Sequence, residues 1–255
     1  MNHALYIAAT GMHAQQLNVD TIANNLANLS TSGFKATQVA FRDLMYRDGA
    51  ASLDQSMASA FGTGVTGTAT AADFRPGELK PTGSPYDIAI RGDGFFAVTL
   101  PDGSLAYTRG GTFKVGADGQ LTTAAGHTLA RAVHLPADAT EMQIAASGAV
   151  TVRTGAAAPR EVGQLELVSF TNPAGLKPLG DGLYGATALS GDSLPGKPGQ
   201  DGLGSIAHMQ VEGSNVKMSD EMVNLMLAQR AYQLNAKMIE TADEFMAMTN
   251  NLRRS

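Results

Sequence analysis

Apolar side chains recur at alternating steps of three and four from the start of the chain. Leu5, Ala8, Met12, Val19, Ile22, Leu26 and Leu29 keep the rhythm, with Gln15 its one polar member. That spacing predicts a helix with a heptad seam. Gly33 at C′ would end it, making Phe34 the C″ residue and Leu29 the C3 residue of a Schellman motif. The remaining faces carry Asn, Gln, Thr, Ala and Tyr, and Asp20 is the single formally charged side chain before Lys35. A helix with one face in water normally carries charge there. The pattern therefore predicts a helix surrounded by other helices in its working state.

The other end of the chain has the complementary pattern. Ser219 to Leu252 contains no Gly or Pro and is rich in Met, Leu, Ala, Gln and Glu, which predicts a long helix. Ser219 is the expected N-cap, with Asp220 and Glu221 in the first turn and Arg253 and Arg254 at the far end, as the helix dipole favours. Two apolar stripes run along it. One holds Met222, Leu225, Tyr232, Ala236, Ile239 and Met246; the other holds Val223, Leu227, Ala231, Leu234, Met238, Phe245, Met248 and Leu252. One partner helix satisfies one stripe and leaves the second needing a neighbour. A bundle closed within one chain needs another long helix, and the pattern offers none between Asp48 and Ser214. Packing between chains is the better reading.

Between the helices the period changes to two. Ile88 and Ile90 alternate, as do Phe96, Val98 and Leu100, then Leu105 and Tyr107, then Thr112 to Val115 and Leu121. Met142 and Ile144, Val150 and Val152, and the run Val162 to Phe170 continue the pattern, with turns at Pro101-Asp102-Gly103 and Ala117-Asp118-Gly119. Short strands joined by Asp-Gly turns predict antiparallel sheet. All ten prolines fall between Pro76 and Pro198, and no glycine follows Gly213. The fold class is therefore α+β: long terminal helices packed together as a coiled-coil-like inner domain (1–34 and 215–255), and a central antiparallel all-β domain (86–190). Residues 35–85 and 191–214 are the connecting arm. Lys35 to Tyr46 reads as a short helix or an extended arm, and Gly49 to Ala60, short of large apolar residues, as an extended loop.

Charge and composition narrow the chemistry. The 255 residues carry a net charge of −5 and no cysteine. No basic patch extends beyond Arg253-Arg254, which argues against nucleic acid as a partner. No run approaches the ~20 apolar residues of a membrane span, so direct membrane insertion is not expected. The N-terminus lacks the Lys or Arg and apolar core of a cleaved Sec-type signal. Gly62-Thr63-Gly64-Val65-Thr66-Gly67 matches G-x-G-x-x-G, but that fingerprint needs a strand before it and a helix after it, and neither is predicted. Gly191-Asp192-Ser193-Leu194 is similar to one esterase nucleophile block, yet the single downstream histidine, His208, has no Asp three residues before it. The five histidines show no metal-ligand spacing. No catalytic, cofactor or metal site is expected.

The block from Ala23-Asn24-Asn25-Leu26-Ala27-Asn28 through Ser30-Thr31-Ser32-Gly33-Phe34-Lys35 resembles the N-terminal signature of bacterial flagellar rod and hook proteins. Gly92-Asp93-Gly94-Phe95-Phe96 and Tyr107-Thr108-Arg109 resemble the start of their β domain. Glu212-Gly213-Ser214-Asn215-Val216 and Gln229-Arg230-Ala231-Tyr232 resemble their C-terminal block. The blocks span the whole chain in order. Within the family, Pro101-Asp102-Gly103, Val162-Gly163-Gln164-Leu165 and Glu221 to Lys237 are most similar to the distal rod members. The proximal rod members, which share both ends, are the alternative.

The resemblance implies a structural subunit without enzymatic activity, exported uncleaved by the flagellar type III apparatus. It implies self-assembly into the periplasm-spanning rod that transmits torque. Its partners would be copies of itself in a helical homo-oligomer, other rod proteins and the hook protein along the axis, and the surrounding basal-body rings. The packing residues would be Leu5, Ala8, Met12, Gln15, Val19, Ile22, Leu26 and Leu29 on the first helix. On the second they would be Met222, Leu225, Leu227, Tyr232, Leu234, Ile239 and Phe245. The family-motif residues are Asn24, Asn25, Leu26, Asn28, Gly33, Phe34, Ser214, Asn215, Gln229, Arg230 and Tyr232. A different reading, a secreted β-domain interaction module with a small coiled coil, would stop at a dimer or trimer.

Overall fold

The computed structural model describes residues 2–44, 64–131, 133–136, 138–155 and 158–252. The chain divides into two compact units. The helical unit takes Met1–Ala27, Thr37–Ala72 and Lys217–Ser255; the β unit takes Asn28–Ala36 and Asp73–Val216. The fold is α+β, with one N-terminal and one C-terminal helix packed on each other and antiparallel strands throughout.

In the helical unit, α1 (Asn2–Ala27) packs against α2 (Met218–Leu252) and against a ribbon of β1 (Thr37–Asp43) and β2 (Val65–Ala72). The segment after Lys35 is thus a strand, not a short helix. β1 and β2 pair antiparallel from Thr37 opposite Ala72 to Asp43 opposite Val65, with a bulge between Val39 and Ala40. Gly67 lets the ribbon approach α1: a Cβ there would lie 2.7 Å from Leu17 Cδ2. The expected loop from Gly49 to Ala60 and the pair Arg253-Arg254 lie outside the described residues, as do Gly62 and Thr63. The G-x-G-x-x-G run leads into β2, where a dinucleotide site needs a helix.

Two helix ends differ from the sequence pattern. α1 stops at Ala27, so Gly33 is not its C′ residue and Leu29 leaves the seam. Asn, Ser and Thr are poor helix formers because their side chains compete for backbone groups. Here Asn28 begins a turn closed by the Thr31 amide on the Asn28 carbonyl at 3.2 Å, and a second turn runs from the Phe34 amide to Thr31 at 3.3 Å. α2 starts one residue before Ser219. The Lys217 carbonyl accepts the amides of Asp220 and Glu221, so Ser219 lies in the first turn and is not the cap.

The β unit opens with β3 (Leu79–Pro81), β4 (Ile88–Arg91), β5 (Phe96–Thr99), β6 (Leu105–Thr108), β7 (Phe113–Val115), β8 (Leu121–Thr123) and β9 (Thr128–Leu129). It continues through β10 (Ala139–Ile144), β11 (Ala149–Thr154), β12 (Arg160–Gln164), β13 (Leu167–Ser169), β14 (Lys177–Gly180) and β15 (Leu183–Gly185). β16 (Leu194–Gly196), β17 (Ser205–His208) and β18 (Gln210–Glu212) close it. The largest sheet has the order β14-β15-β6-β5-β9-β8-β7. β10, β11 and β12 form a second sheet; β13 pairs with β16, β17 with β4, and β18 with β3.

Period-two patterning explains the core. Phe96 and Val98 of β5, Met142 and Ile144 of β10, and Val150 and Val152 of β11 all point into one apolar cluster. Leu203 and Ile206 join it, so the core draws on residues beyond 190. The apolar run Val162 to Phe170 is two strands rather than one. Leu165 leaves the ladder of β12, donating its amide to the Gly148 carbonyl at 2.8 Å, and β13 then enters a different sheet. The turn at Pro101-Asp102-Gly103 forms as the pattern predicts. Gly103 sits at φ +82, and Asp102 Oδ1 accepts the Ser104 amide at 2.9 Å.

Candidate assembly surface and buried ionic junction

The helical unit places its predicted packing residues unequally. On α1, Ala8 and Ile22 are buried, and Leu5, Met12, Gln15, Val19 and Leu26 are half-buried. A second inward line, Ala14, Thr21 and Asn25, was not part of the seam. Its polar members find partners within the helical unit. Thr21 Oγ1 donates to the Leu17 carbonyl at 2.8 Å. Asn25 Oδ1 accepts the Thr37 amide at 2.9 Å, and its Nδ2 donates to the Thr37 carbonyl at 2.9 Å and to Glu221 Oε1 at 3.3 Å. One amide side chain thus imitates a strand partner for β1 and ties it to both helices. An apolar residue there would leave Thr37 unpaired.

On α2, the line Glu221, Leu225, Ala228, Ala231, Asn235, Ile239, Ala242 and Met246 faces inward. The opposite side is open. Val223, Leu227, Leu234, Met238, Phe245 and Met248 are all exposed, from 50% for Val223 to 67% for Leu234. Met222 and Tyr232, expected as packing residues, are 47% and 43% exposed, because the inward line runs one position away from each. Gln229 and Arg230 are exposed too. α2 therefore carries one covered face and one uncovered apolar face.

The β unit holds a feature that the sequence pattern did not reveal. Lys35, Arg109 and Glu212 are each 2% exposed or less. Lys35 Nζ donates to Glu212 Oε1 at 2.6 Å, and Arg109 Nε donates to Glu212 Oε2 at 3.0 Å. The Gly77 amide reaches Oε1 at 2.7 Å. Spare donors find carbonyls: Lys35 Nζ reaches Arg75 O at 2.8 Å, and Arg109 Nη1 reaches Gly94 O at 2.6 Å and Gly92 O at 2.9 Å. Two cations share one anion, so these carbonyls balance the surplus positive charge. Burial pulls the Lys35 ammonium below the ordinary lysine range, and the adjacent Glu212 carboxylate opposes that pull.

Backbone contacts complete the junction. The Gly33 amide donates to the Glu212 carbonyl at 2.7 Å. Asn215 Oδ1 accepts the Ala36 amide at 2.7 Å, and its Nδ2 donates to Asp73 O at 2.7 Å. Phe34 is half-buried, and Gly33 is buried with Gly110 against it. The segments 33–36, 73–77, 92–94, 109 and 212–215 thus meet at one carboxylate. Of the predicted motif residues, Gly33 and Asn215 act here and Asn25 acts in the helical unit. Asn24 is exposed, Asn28 is half-buried in the turn after α1, and Ser214 Oγ accepts the Val216 amide at 3.3 Å. Lys35, Arg109 and Glu212 were not among the expected site residues, although each lies in one of the three motif blocks, and that membership was the signal that could have found them. His208, the histidine downstream of Ser193, has its Nε2 2.8 Å from the Pro85 carbonyl.

Comparison with known proteins finds three matched segments. Residues 5–35 match the family described as flagella basal body rod protein. Residues 89–152 match the flagellar hook protein FlgE/F/G D1 domain, and residues 210–252 the flagellar basal body rod FlgEFG protein C-terminal. Lys35, Arg109 and Glu212 come one from each matched segment. The flagellar basal-body rod protein FlgG of Borreliella burgdorferi is 40% identical, with all of both chains covered. That of Caulobacter vibrioides is 40% identical over 98% of this chain and 99% of its own. The rod protein FlgF of Salmonella typhimurium is 33% identical over 99% and 98%. The chain belongs to the flagellar basal-body rod protein family. It is a structural subunit of the basal-body rod, not an enzyme. Among the described residues no helix is long and apolar enough to cross a membrane.

Proposed function

We propose that this chain is a distal rod subunit that assembles with copies of itself through the two terminal helices, packed in coiled-coil fashion. The observation that carries this reading is the uncovered apolar face of α2. Covering the exposed remainder of Val223, Leu227, Leu234, Met238, Phe245 and Met248 gains roughly 5–10 kcal/mol. An exposed stripe of that length is costly in solution and serves an interface. The stronger match to FlgG than to FlgF supports the distal assignment over the proximal one. On this reading the chain leaves the cell uncleaved through the flagellar type III apparatus. It then meets other rod proteins and the hook protein along the axis and the basal-body rings around it.

Leu234→Asp tests the reading. Leu234 is 67% exposed in the unassembled chain, so the substitution should leave the melting of the β unit unchanged. Placed in a helix–helix interface it buries a carboxylate repeatedly along the assembly. Electron microscopy of basal bodies from a strain carrying only this variant should show no rod beyond the proximal segment, and motility should be lost. Normal rods built from Leu234→Asp subunits would remove the α2 face from assembly.

A further inference from the structure

The outward face of α1 holds one charge, Asp20, and the uncovered side of α2 holds Arg230 and, a heptad farther on, Lys237. The outward line of α1 is Tyr6, Ala9, His13, Gln16, Asp20, Ala23 and Ala27, all exposed, and Asp20 is its one charged member. The uncovered line of α2 runs Val223, Leu227, Arg230, Leu234, and Arg230 stands in the middle of those apolar side chains. Among the described residues neither Asp20 nor Arg230 forms an ion pair, whereas Lys237, farther along α2, is held by Glu240 at 2.9 Å. α1 and α2 run antiparallel: Asn25 bonds Glu221, and Gly11 lies against Asn235. On that count Asp20 stands opposite residue 226. Arg230 is four residues farther, about 6 Å along the shared axis.

We infer that Arg230 of one copy pairs with Asp20 on α1 of the next, and that this pair fixes the register of the helix interface. The inference rests on the self-assembly reading and adds its register. An arginine inside an apolar stripe is tolerated in water. It is penalised once the stripe is covered, unless an anion arrives with the covering surface. The small side chains Ala9, Ala23 and Ala27 give the stripe of large α2 residues a shallow face to seat on, and Asp20 supplies the anion within it. Each copy presents both faces, so the contact is head-to-tail. Such a contact propagates from copy to copy and builds an open helix wherever the rotation per copy does not close a ring. The axial step between the two charges sets how far one copy is displaced from the next.

Charge reversal tests the pair. Asp20→Arg and Arg230→Asp, each as the sole copy in the cell, should cut rod yield and motility about tenfold or more, since each places like charges together. The double variant carrying both substitutions should restore assembly, since it recreates the pair with its polarity exchanged. Singles that assemble as well as the parent would overturn the inference, as would a double variant no better than the singles. If both singles assemble while Leu234→Asp does not, the helix interface stands and the ion pair falls. Circular dichroism melts of the unassembled variants should match the parent. Should a reversal variant melt early, Asp20→Asn and Arg230→Gln take its place. Together they should do no more harm than either alone, and an additive loss would overturn the pair.

Discussion

Glu212→Ala should destabilise the β unit by about 3–5 kcal/mol, the cost of breaking a buried ion pair from one side. The substitution removes the acceptor of three donors at once: Lys35 Nζ, Arg109 Nε and the Gly77 amide. It leaves two cations buried and facing each other without an anion between them. Lys35 can shed its proton, but Arg109 cannot, so a guanidinium remains with carbonyls as its only compensation. Glu212→Gln keeps the shape and one acceptor oxygen and should lie between the parent and the alanine variant. Urea unfolding followed by circular dichroism in the β-sheet region measures both. A Glu212→Ala midpoint equal to the parent's would mean that the junction contributes nothing to the stability of the unit.

Gly33→Ala should have a comparable effect for a different reason. Gly33 sits at φ +71, in the left-handed region, where a side chain costs about 1–2 kcal/mol. A Cβ there would also lie 2.6 Å from the Gly110 amide nitrogen and 2.7 Å from its Cα. These are backbone atoms and cannot swing aside as a flexible side chain would. Relieving the clash means moving residues 33–35, which stretches the bond from the Gly33 amide to the Glu212 carbonyl and carries Lys35 away from its carboxylate. Conformational strain and a loosened junction together should cost several kcal/mol. Gly103→Ala serves as the control. It shares the positive φ, at +82, but nothing lies within 4 Å of its Cβ position, so it should lose only the conformational part. Equal losses at the two positions would show that the close packing of Gly33 is not responsible.

Gly33 has a different role from the one its sequence position suggests. The pattern places it as a helix cap, because a glycine and an apolar residue come after an apolar seam. In the structure α1 has already ended at Ala27, and the left-handed glycine serves a chain crossing in the β unit. The positive φ was legible; its tertiary purpose was not.

The sequence by itself determined the helical ends, the antiparallel middle, the turn at Asp102-Gly103 and the family. Each of these comes from local terms: hydrophobic period, helix propensity, Asp-Gly turns and short motifs. Such terms act between residues a few positions apart, so a linear reading captures them. The tertiary structure decided which α2 stripe is covered, since both stripes are equally apolar in sequence and only the placement of α1 and the ribbon distinguishes them. It split Val162 to Phe170 between two sheets, because strand pairing is chosen by distant partners. It also assembled Lys35, Arg109 and Glu212, which lie 74 and 103 positions apart in succession. A buried charge is stable only when its counterion and carbonyl partners arrive from elsewhere in the chain. Nothing in the local pattern records that meeting, and the fold supplies it.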